Sequence, residues 1–425
     1  MQISLQNKNI GARISQWLDS VFKHPLLYTL FALPALRPRL LCEVDALLGI
    51  GAFPLSEILI YIVFTLVLIA YLFRWLRGDI QRKNPTFLCL LLMFLWLDAV
   101  TLLYGGASGY HIVWHSGFAL MMMLDMGLQR EKESVLRGII TAMEIWIYVN
   151  LCALFLHPGG VWTDDPLSPE WILGSRAIYY RIVFPALALS LIRYHVLGKK
   201  WRWRTAELLI ACVLTIGLQR GGTGLIGFVL MLFLLLWCYR RALPRYLTPL
   251  TFTGLALLGF IGIHFFKVHY AFEWLISGVL GKSMTLSNRT DIWQHTMALI
   301  FNNPITGVGL LPVAYMSPLL GGFTHTHNHL LELMLHGGVI ALGLYAAALY
   351  FASHEAIAHR RNPAVKVAAI LLAVFSFIGV NEIFHNEPIY YALFILLARA
   401  DCLTGSAKPL PRISLIKRLQ RDLKR

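Results

Sequence analysis

The chemistry-bearing residues of this chain crowd into one stretch. Within Thr324-His325-Thr326-His327-Asn328-His329, three imidazoles alternate, and Glu332 follows. In extended backbone, alternate residues share a face. Three histidines on one face with a carboxylate nearby are a ligand set for zinc. The same residues allow a different chemistry. An imidazole with an ordinary pKa near 6.5 can take a proton from a sugar hydroxyl at neutral pH. Upstream, Arg289 stands in Ser287-Asn288-Arg289-Thr290-Asp291, which opens a helix that Ser287 or Asn288 can cap. A cation in a first turn opposes the helix dipole, whereas a bound anion there reverses the sign. Arg220, in Leu218-Gln219-Arg220-Gly221-Gly222, sits in a tight turn between two apolar runs. Charge at such a depth is usually partnered or functional. Arg176 and Arg181 open another run on the same side. Together the arginines suit the diphosphate of a lipid carrier.

These residues are carried by a chain built for lipid. Of 425 residues, 57% are apolar and 14% charged, and the mean hydropathy is +0.64. Soluble domains carry about 25% charged residues. The composition argues against a soluble enzyme, a disulfide scaffold and a disordered chain. The runs are apolar all round rather than alternating, which argues against an outer-membrane barrel. The fold class expected is all-α, a polytopic helical membrane protein. A span needs about 20 apolar residues. Twelve are placed near 24–36, 56–76, 85–104, 111–128, 137–157, 175–197, 206–220, 222–239, 247–266, 330–352, 366–382 and 388–400. The whole chain, 1–425, reads as a single integral membrane domain. The first apolar run follows a polar stretch holding Lys8, Arg13 and Lys23, so no cleavable signal peptide is expected.

Charge orients the spans. Of 37 Lys and Arg, 29 fall in the segments that this alternation puts on one side. The positive-inside rule makes that side cytosolic, with both termini there. The asymmetry accounts for most of the net charge of +15 without nucleic acid. The basic tail, 401–425, is amphipathic around Ile413–Leu419 and suits anionic headgroups. The six cysteines form no CxxC and read as small buried hydrophobes. On the outer side one large loop, 267–329, lies between the ninth and tenth spans. Long ordered loops usually carry function. In it, Ile292, Trp293, Met297 and Ile300 make an apolar stripe, Asn302-Asn303-Pro304 ends the helix, and Gly307-Val308-Gly309 turns. Intramembrane Glu57, Asp98, Asp125 and Glu144 can pair internally, and are also what a proton-coupled transporter or lipid-linked glycan flippase would use.

Four pieces in this order, Ser287–Trp293, Asn303-Pro304-Ile305-Thr306-Gly307-Val308-Gly309, His327-Asn328 and Gly337-Gly338, resemble the O-antigen ligase and polymerase superfamily. The strong likeness covers about 285–345. The resemblance implies a metal-independent, inverting glycosyltransferase of the bacterial inner membrane, without cofactor and with its active site on the periplasmic face. The implied donor is a glycan on undecaprenyl diphosphate. The acceptor is lipid A–core for a ligase, or a second lipid-linked glycan for a polymerase. Carried onto this chain, His327 resembles the general base, and Arg220 and Arg289 the groups that hold the donor diphosphate. His325, Asn328, Arg176 and Arg181 are expected to line the substrate. Ligases often show His-Asn, nine residues, Gly, two residues, then Gly, Thr or Tyr. Here Gly338 fits and Ala341 departs. The pattern leans towards ligase.

Overall fold

The computed structural model describes residues 13, 16–48, 55–81, 83–104, 113–162, 169–198, 203–274 and 289–404. Ser287, Asn288, most of the basic tail and part of the large loop lie outside them. The regular elements among the described residues are helices apart from one hairpin of two-residue strands, β1 (Glu170–Trp171) with β2 (Gly174–Ser175). The helices are α1 (Pro25–Ala35), α2 (Arg39–Leu48), α3 (Leu55–Arg77), α4 (Pro85–Leu103), α5 (Phe118–Arg130) and α6 (Lys132–Leu156). Then follow α7 (Tyr180–Leu197), α8 (Trp203–Gln219), α9 (Gly222–Trp237) and α10 (Pro249–His264). The large loop contributes α11 (Arg289–Asn302) and α12 (Val313–Leu319). The chain continues through α13 (His329–Ala358), α14 (Pro363–Ile378), α15 (Pro388–Ala398) and the single turn α16 (Ala400–Leu403).

A helix occupies each stretch that hydrophobicity marked as a span. Five of them, α3, α4, α6, α7 and α13, are long and apolar enough to cross a membrane. Proline opens α1, α4, α10, α14 and α15, where its missing N–H costs nothing. Burial sorts the helices. Residues 388–397 of α15 are all buried, as are 118–128 of α5 and nearly all of α14. A helix apolar on every side and buried on every side is a central one. By contrast α3 exposes Leu59, Ile62, Leu66 and Ile69, and α9 exposes Ile226, Val229, Phe233 and Leu236. Such stripes suit lipid tails and would be a liability in water. Cys212, Cys238 and Cys402 are buried, whereas Cys152 is exposed.

The acids within the bundle are partnered. Asp125 takes Arg399 Nε at 2.7 Å, Asn84 Nδ2 at 2.8 Å and the Tyr71 hydroxyl at 3.1 Å. Glu144 accepts from Arg204 Nε at 2.9 Å, Glu57 lies 3.6 Å from Arg37, and Asp98 accepts from the Trp114 indole. Each of these four acids has a polar partner within the bundle. Asp125 and Arg399 are both fully buried. Removing one partner strands the other charge, typically at about 3–5 kcal/mol. Asp125→Ala is therefore expected to lower the unfolding midpoint of the purified protein sharply, and Asp125→Ala/Arg399→Met to recover part of the loss. Equal midpoints for wild type and the single variant would remove the pair from the account.

One expected span is broken. Residues 330–352 read as a continuous apolar helix, but α13 consists of two arms joined at Gly338, whose φ is 61° and ψ −161°. The first arm, residues 329–337, folds back on the second. The rings of His329 and Tyr345 lie 5.2 Å apart. Along an unbroken helix, sixteen residues would separate them by about 24 Å. The second arm, residues 339–358, still reaches about 30 Å, the thickness of a bilayer core.

The break leaves orphan backbone groups, which the large loop and α4 satisfy. Val308 and Gly309 donate N–H groups to the carbonyls of Leu335 and His336 at 2.7 and 3.0 Å. Val339 N–H donates to the Pro304 carbonyl at 2.9 Å, and the Trp96 indole to that of Gly337 at 2.8 Å. This explains the glycines of the loop. A Cβ on Gly307 would stand 2.5 Å from the Leu335 oxygen, and one on Gly309 2.7 Å from Thr101 Cα. The Asn-Pro-Ile-Thr-Gly-Val-Gly and Gly-Gly motifs are thus one clasp, built from backbone.

Candidate functional site

The residues singled out in the sequence gather at one end of the bundle. That end collects the starts of α7, α9, α11, α13 and α15. Their N–H ends point positive partial charge into the same region.

His327 is fixed from both sides. On one side the Trp293 indole of α11 donates to the Thr326 carbonyl at 3.0 Å. Trp293 is fully buried, together with Ile292 and Ile300, which is what the apolar stripe of α11 predicts. On the other side Asn328 caps α13. Its Oδ1 accepts from the N–H groups of Leu330 and Leu331 at 3.0 and 3.1 Å. The Thr326 N–H donates to Glu332 Oε2 at 2.9 Å, and the Thr326 hydroxyl to the Asn328 carbonyl at 2.8 Å. Between these anchors His327 adopts φ 51°. Left-handed backbone is uncommon outside glycine, and clusters at functional sites.

That conformation overturns the expectation of three histidines on one face. The rings of His325 and His327 lie 4.1 Å apart. His329 turns the other way, into Tyr345, Phe384 and Tyr390, and its Nδ1 accepts the Phe384 N–H at 3.3 Å. The alternation argument assumed extended backbone, and a left-handed residue in the middle removes it. Among the described residues no group of three histidines, cysteines or carboxylates converges as a metal site.

Glu332 serves the loop rather than a metal. It lies 3.8 Å from His336 Nε2 and 3.7 Å from His385 Nδ1. This buried polar group stands behind the His327 loop and ties it to residues 379–387, between α14 and α15.

Two of the arginines, Arg181 and Arg289, lie close to the histidine pair. Arg289 begins α11, and its charge together with that of Arg181 bears on His325. Burial comes first, then the neighbouring His325 and Arg289, in pushing the His327 imidazole down to about 3. At neutral pH His327 is therefore uncharged, with a nitrogen lone pair free to accept a proton. Arg181 contacts Glu387 directly and lies 3.7 Å from Glu382. Arg289 lies 4.0 Å from the same Glu382 carboxylate. The Thr223 hydroxyl of α9 donates to Glu382 Oε1 at 3.2 Å.

Arg220 is exposed and left-handed, at φ 51°, in the turn between α8 and α9. Among the described residues no carboxylate pairs with it. Its turn is pressed onto the start of α7. A Cβ on Gly221 would collide with the Arg176 carbonyl oxygen, and one on Gly224 would lie 2.5 Å from the Tyr179 hydroxyl. So the backbones of Arg176 and the Arg220 turn adjoin, while the charges of Arg181 and Arg289 act on His325 and that of Arg289 on His327. Sequence reasoning missed Glu382, Glu387 and His385. They lie 50 residues or more beyond the histidine run, in a short loop without a motif. The one available signal was two acids between apolar runs.

Burial has a cost in acid. It holds the imidazoles of His325, His327 and His385 below the ordinary 6.5. Below that pH the unfolded chain binds protons that the folded one does not, so stability falls as pH falls. The unfolding midpoint is expected to drop clearly between pH 7.5 and 5.5. A flat profile would mean that these rings are hydrated in the folded protein.

No curated protein matches the chain. Residues 205–346, which hold Arg220, Arg289, His327 and the Gly337-Gly338 break, match the family model Wzy_C, described as O-antigen ligase, and over this stretch the chain's resemblance to the O-antigen ligase superfamily is borne out.

Proposed function

We propose that the protein is an O-antigen ligase of the bacterial inner membrane. It transfers a glycan from undecaprenyl diphosphate to a hydroxyl of lipid A–core on the periplasmic face, inverting the anomeric centre without a metal. The observation that carries this reading is the held geometry of the reactive loop: His327, left-handed between the Trp293 and Asn328 anchors and close enough to Arg289 to feel its charge, lies within the stretch that matches the ligase model. The acceptor hydroxyl gives its proton to His327 as its oxygen attacks the anomeric carbon. The bond from that carbon to the diphosphate oxygen breaks, and its electron pair leaves with undecaprenyl diphosphate. Arg289 and Arg220 stabilise the charge that builds on the leaving oxygens. Arg289 also links the two events. An imidazolium beside it is unfavourable until the donor's negative charge is in place.

A polymerase of the same superfamily would use the same donor chemistry. Ala341, at a place where ligases often carry Gly, Thr or Tyr, is the observation in its favour. Deleting the gene and examining lipopolysaccharide on gels together with undecaprenyl-linked glycans separates the readings. Bare lipid A–core with long glycan accumulating on the carrier is the ligase outcome. Lipid A–core carrying a single repeat unit is the polymerase outcome. An unchanged ladder with no accumulating carrier-linked glycan would reject both.

A further inference from the structure

Glu382 lies outside the matched stretch, yet it is the acid that Arg181 and Arg289 share. Its side chain is 8% exposed. Arg181 of α7, Arg289 of α11 and Thr223 of α9 all address its carboxylate, at 3.7, 4.0 and 3.2 Å. Three helices thus meet at one anion.

The two arginines are not held alike. Arg181 has a second acid, Glu387, in direct contact, and its guanidinium lies 5.5 Å from the centre of the Phe384 ring. Arg289 has no other carboxylate partner among the described residues, and 4.0 Å is a loose pair rather than a bidentate one. Arg181 is therefore a fixed post, and Arg289 the exchangeable partner. With Glu382 and Glu387 ionised, the four groups sum to no net charge. A diphosphate arriving there meets arginines that are already neutralised.

We propose that Glu382 is the resident counter-anion of the donor site: it holds Arg289 while the site is empty, yields it to the donor diphosphate, and reclaims it when the product leaves. Glu382 is thus a positioning residue that trades affinity for turnover. The inference rests on the diphosphate reading above. Product release limits many enzymes, and an acid that competes for the same arginine speeds it.

The test uses the full-length protein in lipid nanodiscs, with undecaprenyl diphosphate as probe. Glu382→Gln keeps the shape and an acceptor for Thr223 but removes the charge. It is expected to bind the probe more tightly, by about tenfold for the loss of one nearby like charge. It should also turn over more slowly under multiple-turnover conditions while keeping single-turnover transfer. A structural loss would weaken binding and both rates. Should Glu382→Gln fail to fold, Thr223→Val removes the hydroxyl that orients the carboxylate and is expected to shift binding the same way, by less. Unchanged or weaker binding in a folded variant overturns the proposal alone, provided that wild type binds the probe and Arg289→Ala does not. If wild type does not bind, or Arg289→Ala binds equally, the diphosphate reading falls and takes this inference with it.

Discussion

Membranes carrying His327→Ala are expected to transfer glycan at least about a hundredfold more slowly than wild type, the lower end of what a general base contributes. Protein level should be unchanged. The loop is held by Trp293, Thr326, Asn328 and Glu332, and none of those bonds uses the His327 side chain. The imidazole is only half-buried, so its removal leaves no large cavity. Alanine inherits the left-handed backbone, as histidine does. His327→Asn is the cleaner variant, since asparagine tolerates that conformation and cannot accept a proton at neutral pH. Both variants should be equally inactive. Transfer at the wild-type rate by either would remove His327 from the reaction, and a fall matched by lost protein would make it structural.

Gly338→Ala should remove the protein rather than the activity. With φ 61° and ψ −161°, Gly338 occupies a region that is essentially closed to residues with a side chain, at about 1–3 kcal/mol. The added Cβ would also run into the Ile305 carbonyl. That oxygen belongs to backbone clamped by Pro304 and Val308, so it cannot swing aside. Relief requires the clasp to open, which strands the carbonyls of Leu335 and His336 and the N–H of Val339. Unsatisfied backbone groups in an apolar setting cost several kcal/mol each. Little folded protein is expected in the membrane. Gly343 is the matched control. It lies five residues along the same helix, and a Cβ there meets nothing within 4 Å. Gly343→Ala should be neutral or stabilising by up to about 1 kcal/mol. Equal yields of the two variants would show that the break is not required.

The helices were legible because hydrophobic length is a one-dimensional signal. Runs such as 85–104 and 388–400 mark helices to within a few residues. The reactive loop was legible for another reason. Arg289, His327 and the glycines fall within some fifty residues, in a fixed order. What remained hidden depends on dihedral sign or on partners distant in the chain. The alternating histidines gave no sign that His327 is left-handed, so His329 was grouped with a pair it does not join. Gly337-Gly338 did hint at the break in α13, but an apolar run on both sides hid it. Glu382 could not be assigned to Arg181 and Arg289, because the three come from parts of the chain some 90 to 200 residues apart.

The broken helix also bears on how the chain is made. A ribosome delivers α13 last among the elements that meet at Gly338. Trp96, Pro304, Val308 and Gly309, which satisfy the backbone on either side of the break, all precede it in the sequence. When residues 335–339 emerge, their hydrogen-bonding partners already exist. The opposite order would release a helix end into lipid with nothing to receive it. The order of synthesis thus suits a place in the bundle where a helix cannot satisfy its own backbone.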